Sequence, residues 1–88
     1  MIYRDIALVN ALGLHARPAA QIAMLAAKAV SSVWMISDGE QVDAKSIIDI
    51  LSLYCPKGSL VRFAVENAQD VETLNAIAFL AESGFGEN

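Results

Sequence analysis

The sequence predicts an α+β sandwich, with strands and helices in the order βαββαβα. Two observations carry this. Along the 88 residues, the apolar period switches repeatedly between about 2 and about 3.6 residues, which separates half-buried strands from amphipathic helices. Turn-forming residues, above all Asp38-Gly39, stand where the period changes.

The elements follow in order. From Tyr3 to Val9, Ile6 and Leu8 alternate with Asp5 and Ala7, the pattern of a strand with one buried face. A loop from Asn10 to Leu14 carries Gly13. From Ala16 to about Lys28, Ile22, Leu25, Ala26 and Ala29 recur at helical spacing. Pro18 falls in the first turn, where its missing N–H breaks no helical bond. Val33 to Ser37 is a second strand, Val33 and Met35 on one face, Trp34 and Ile36 on the other. Asp38-Gly39 predicts a two-residue type I′ hairpin, with Gln41 to Ala44 as the partner strand. Lys45 to Leu53 reads as a short helix, and Pro56, Lys57 and Gly58 break the chain. Leu60 to Glu66 is the last strand, with Val61, Phe63 and Val65 on one face. Asp70 to Ser83 is an amphipathic helix with Leu74, Ile77, Ala78 and Ala81 inward. Gly84 suits the left-handed residue after a helix end. With helices returning between four short strands, the helices cover one sheet face and Trp34 lies on the other.

Composition narrows the function. The length suits one domain spanning residues 1–88 and one modest core. The hydrophobic fraction is 56%, but much of it is alanine, so it overstates core volume. The longest apolar run, near Ile22 to Val30, is broken by Lys28 and falls short of the ~20 residues of a membrane span. Net charge is -4, and Arg4, Arg17, Lys28, Lys45, Lys57 and Arg62 are scattered. Nucleic acid and anionic membrane are therefore not the expected partners; proteins are. One cysteine, Cys55, permits no internal disulfide and no structural zinc site, and no metal or cofactor is expected. Met1 leads into a strand without the basic stretch and apolar core of a signal peptide, so the expected compartment is the cytoplasm; oligomeric state is left open by the sequence, with a monomer as the default.

The chemistry concentrates in Gly13-Leu14-His15-Ala16-Arg17-Pro18-Ala19. His15 stands just before the first helical turn, where the backbone N–H groups of Ala16 and Arg17 have no intrahelical acceptor. With the helix dipole they form an anion site. The same positive end disfavours an imidazolium and leaves a nucleophilic ring nitrogen. Arg17 adds a guanidinium whose fork matches phosphate oxygens. With no second histidine in the chain, the arrangement suits carrying a phosphoryl group rather than hydrolysing it. The bland reading is a histidine that only caps the helix, with Arg17 on a solvated face.

Leu12 through Ala20 resembles the active-site motif of the HPr family, the histidine phosphocarriers of the bacterial phosphoenolpyruvate-dependent sugar phosphotransferase system. Ala44-Lys45-Ser46-Ile47-Ile48, followed by Leu51 to Leu53, resembles that family's second signature at matching spacing. The resemblance covers essentially the whole chain. It implies an open-faced β-sandwich, with a four-stranded antiparallel sheet and three helices on one face. It implies a carrier rather than an enzyme. His15 would take the phosphoryl group at Nδ1 from enzyme I, Arg17 would contact the phosphate, and a IIA domain or protein of a sugar permease would receive it. Ser46 matches the family's regulatory serine, the target in some bacteria of a dedicated HPr serine kinase/phosphorylase; read alone, it is an N-cap. A short helix cannot bury all its apolar residues. Ile50 and Leu53 are expected inside, and Ile47, Ile48 and Leu51 form an exposed patch where enzyme I and IIA would dock.

Some positions depart from the family pattern. Tyr54 stands where a glycine often closes the short helix. Asn67 replaces a glycine, with its tolerance of positive φ preserving the turn, and Gln69-Asp70 replaces an acidic pair. Met24 and Ala27 stand where some relatives carry lysines, which implies weaker electrostatic steering and a more apolar interface. Besides the transport carrier, the sequence admits a regulatory carrier of nitrogen-type or serine-kinase-linked function, and a binding module that never carries phosphate. Neighbouring genes discriminate the first two; a failure of His15 to accept phosphate would favour the third.

Overall fold

The structure, a computed structural model, describes residues 1–87. Its strands are β1 (Ile2–Ala7), β2 (Val33–Ser37), β3 (Glu40–Asp43) and β4 (Leu60–Val65); its helices are α1 (Ala16–Ala26), α2 (Ile47–Leu51) and α3 (Val71–Glu82). The strands form one antiparallel sheet in the order β1-β4-β2-β3. The three helices pack on one face and the other is open, the predicted open-faced sandwich.

Register fixes which side chains reach the core. Ile2 faces Val65, which faces Val33; Ile6 faces Val61; Phe63 faces Met35, which faces Val42. Against this row α3 lays Leu74, Ile77, Ala78 and Ala81 and α1 lays Ala19, Ile22, Ala23 and Ala26, all buried. Alanine on α1 lets the helix approach closely, which explains how an alanine-rich chain fills a small core. The open face carries the alternate residues. Arg62 is held bidentately by Asp5, at 2.7 and 3.0 Å, over the Tyr3 ring, and the Trp34 indole N–H donates to Glu66.

Several element ends differ from the sequence reading. β1 stops at Ala7, although Leu8 extends the ladder through backbone bonds to Gly58 and Ser59. α1 stops at Ala26: Ala27 N–H still bonds the Ala23 carbonyl, but the following N–H groups tighten into i→i−3 bonds, Lys28 to Leu25 and Ala29 to Ala26. α2 is five residues, not nine: the Asp43 carboxylate accepts from Lys45 N–H, and Ser46 Oγ accepts from Asp49 N–H as the N-cap. Asp38 and Gly39 both have positive φ, as the type I′ hairpin requires.

Two departures from the family pattern resolve physically. Tyr54 is exposed and has no positive φ; α2 instead ends with Ser52 and Leu53 N–H groups bonding back to Ile48, Asp49 and Ile50 carbonyls. Asn67 does not use positive φ either. It is extended, with φ -122°, and its Oδ1 caps a single 3-10 turn, Ala68–Asp70, before α3. Asp70 clamps across the fold: its buried carboxylate accepts the Val30 and Ser31 N–H groups and the Ser31 hydroxyl. The Ser31 hydroxyl, then these backbone donors and Lys45, hold the Asp70 carboxyl below the usual carboxylate range.

Candidate phosphoryl-acceptor site

Gly13 sets the path into the site. Its φ is +62°, and a Cβ there would lie 2.4 Å from the Cys55 carbonyl oxygen and 2.8 Å from Pro56. The close approach is thus to the loop after α2, and it lets Leu14 N–H donate to the Cys55 carbonyl at 2.8 Å. Cys55 itself is buried packing, and burial pushes its thiol up.

His15 is the N-cap residue of α1, with extended backbone. Its side chain does not cap the helix, so the bland reading of a capping histidine does not hold. The ring instead turns toward the C-terminal segment, where Nε2 lies 2.7 Å from Glu87 Oε2. About a third of the His15 side chain, 34%, is exposed, against 14% for Glu87. Nδ1 carries no hydrogen bond among the described residues. The N–H groups of Ala16 and Arg17 open α1 directly after His15 in the chain and have no intrahelical acceptor.

Glu87 is a site residue that sequence reasoning missed. Its other carboxylate oxygen accepts from the Asn10 amide at 2.8 Å, and the same amide nitrogen donates to the Gly13 carbonyl at 2.6 Å. With two acceptors facing it, that atom must be nitrogen, so the Asn10 orientation is settled by its neighbours. Asn10 is fully buried. Its amide, then His15 and Arg17, hold the Glu87 carboxyl below the usual carboxylate range, against the opposing effect of desolvation. Arg17 is exposed and lines a shallow cleft with Ala11, Leu12, Gly86 and Glu87. Only the Gly84 turn offered a local signal for this strap. The His15–Glu87 contact joins residues 72 apart in the chain, which no periodicity reports.

Ile47, Ile48 and Leu51 are 42%, 81% and 43% exposed, while Ile50 and Leu53 are buried. The patch continues across a groove to α1, lined by Ala20, Ala23, Met24 and Ala27, with Lys45 and Ser46 completing it. Ala20 is five residues past His15 along α1, roughly 7 Å of helix rise. Ser46 lies at the N-terminus of α2 and shares no hydrogen bond with His15 among the described residues.

Residues 2–83 match the family model described as the PTS HPr component phosphorylation site. The chain is 40% identical over 87 residues to the phosphocarrier protein HPr of Cupriavidus necator, covering 99% of this chain and 98% of that one. It is 36% identical over 87 residues to the phosphocarrier protein NPr of Proteus mirabilis, covering 98% and 97%. Among solved structures, HPr of Thermoanaerobacter tengcongensis superposes with a TM-score of 0.92 at 40% identity, covering 100% and 99%.

Proposed function

Since the chain belongs to the HPr family of phosphotransferase-system phosphocarriers, we propose that His15 is its phosphoryl acceptor, charged on Nδ1 by enzyme I and discharged to a IIA domain or protein. The His15 ring supports the reading: Nε2 is engaged by Glu87, Nδ1 carries no hydrogen bond among the described residues, and His15 directly precedes the first N–H groups of α1.

In the charging step the Nδ1 lone pair attacks phosphorus on the donor. The new N–P bond forms as the donor's own bond to phosphorus breaks, and the electron pair stays with the donor. The phosphoryl oxygens then face the Ala16 and Arg17 N–H groups, the positive helix end and the Arg17 guanidinium. Discharge is the same displacement run toward the acceptor protein. The chain is thus a co-substrate of other proteins' transfers and not an enzyme with its own turnover.

Docking is assigned to Ile47, Ile48 and Leu51 with the α1 groove beside His15. An exposed apolar patch of this kind marks a partner surface. A regulatory carrier is the second reading, supported by the 36% identity to a protein named NPr and by Ser46. Phosphate on Ser46 would put negative charge at the rim of the apolar patch and oppose docking.

Incubation with enzyme I and phosphoenolpyruvate tests the proposal, with phosphate mapped under conditions that preserve phosphohistidine. Acid-labile phosphate is expected on His15 and absent from a folded His15→Ala variant. Acid-labile phosphate remaining on that variant would refute the site assignment.

A further inference from the structure

The last turn of the chain is built to reach the site. Gly84, Phe85 and Gly86 follow one another at φ of 75°, 59° and 74°. A phenylalanine in that region is strained, because its Cβ crowds the following carbonyl oxygen. The Phe85 side chain is 1% exposed in the core, and burying it offsets that strain. The Phe85 carbonyl faces the Gln21 amide on α1 at 3.5 Å. The strained turn is therefore pinned by an aromatic anchor, and the residue that follows it is Glu87. Its two oxygens are divided between His15 Nε2 and the buried Asn10 amide. Asn10 is held in turn by the Gly13 carbonyl, so the carboxylate is aimed from both sides.

We infer that Glu87 is a positioning residue that keeps a proton on His15 Nε2, presents Nδ1 as the nucleophile, and balances the positive charge the ring gains on phosphorylation. This rests on His15 being the acceptor. A carboxylate can only accept, so the imidazole nitrogen against it must carry the proton. The hydrogen bond made by one ring nitrogen decides the state of the other. Attack by Nδ1 forms the N–P bond without releasing the Nε2 proton, and the ring becomes cationic. Glu87 meets that charge 2.7 Å away, as the orienting carboxylate of a catalytic triad meets its imidazolium. On discharge the N–P electron pair returns to Nδ1 and the ring becomes neutral again. Arg17 shares a cleft with Glu87 and also lowers its carboxyl.

The full chain, labelled with nitrogen-15 and free of any partner, gives the direct test. In alkaline buffer, where imidazole is neutral, two-bond nitrogen–proton correlations report which ring nitrogen is protonated. The Nε2–H form alone is expected in the wild type, and the Nδ1–H form appears in Glu87→Ala while the backbone spectrum is retained. A proton on Nδ1 in the wild type, or unchanged populations in Glu87→Ala, would overturn the inference. Glu87→Gln keeps an acceptor but loses the charge. It should retain the tautomer, while kcat for transfer from enzyme I falls about tenfold or more at constant KM. A full kcat in that variant would overturn the charge-balancing role. The tautomer is read without phosphate, so failure of His15 to take phosphate would be seen separately.

Discussion

Gly13→Ala tests how the loop before His15 is held. At φ +62° an alanine costs roughly 1–2 kcal/mol more than glycine. Its Cβ would lie 2.4 Å from the Cys55 carbonyl oxygen, where ordinary contact is about 3.5 Å. The loop must therefore retreat by roughly 1 Å, which breaks the 2.8 Å bond from Leu14 N–H to that carbonyl, worth about 1 kcal/mol. The stiffer unfolded chain returns roughly 0.5 kcal/mol. The net loss is about 1.5–2.5 kcal/mol, or roughly 6–20 °C in Tm for a chain of this size. Gly39→Ala is the control: its φ is +80° with nothing within 4 Å of the added carbon, so it bears only the conformational cost. Urea unfolding of both variants, with unchanged m, reads the difference. Equal losses in the two variants would refute the close-approach argument.

Ile48→Glu, at a residue 81% exposed, should leave stability within about 0.5 kcal/mol and raise KM for transfer from enzyme I about tenfold or more; an unchanged KM would move docking off the patch. Because the Asp70 carboxyl is lowered in the folded state, the stability it confers is complete above the usual range near about pH 4 and is lost as pH falls through the lowered value. Urea midpoints from neutral to acid pH should therefore drop for the wild type, and Asp70→Asn should start lower and lose part of that acid dependence. An identical acid limb in the variant would show that Asp70 is not its source.

What the sequence made legible was local. Alternation in β2 and β4 named Val33, Met35, Val61, Phe63 and Val65 as core, and all are buried. Helical spacing named Leu74, Ile77, Ala78 and Ala81 on α3, also buried. Asp38-Gly39 and Gly84 announced their turns because positive φ restricts residue choice. The illegible part was long-range and polar. Asp70 reads as an ordinary residue at a helix start, yet it ties the chain at Val30 and Ser31. Asn10 and Glu87 carry no periodic signal, because a buried hydrogen bond between distant segments leaves none. Helix ends were misjudged where a side chain intervenes, as Asp43 and Ser46 do before α2. At the site, the motif exposed His15 and Arg17 but not the carboxylate that orients the ring.

Following labelled phosphate shows whether His15 receives a phosphoryl group and passes it on. The chain is charged with enzyme I and labelled phosphoenolpyruvate, freed of both, and mixed with a IIA protein. Label is expected to leave His15 and appear on the IIA protein. Label that stays on the chain, or is released as inorganic phosphate without reaching IIA, would contradict it.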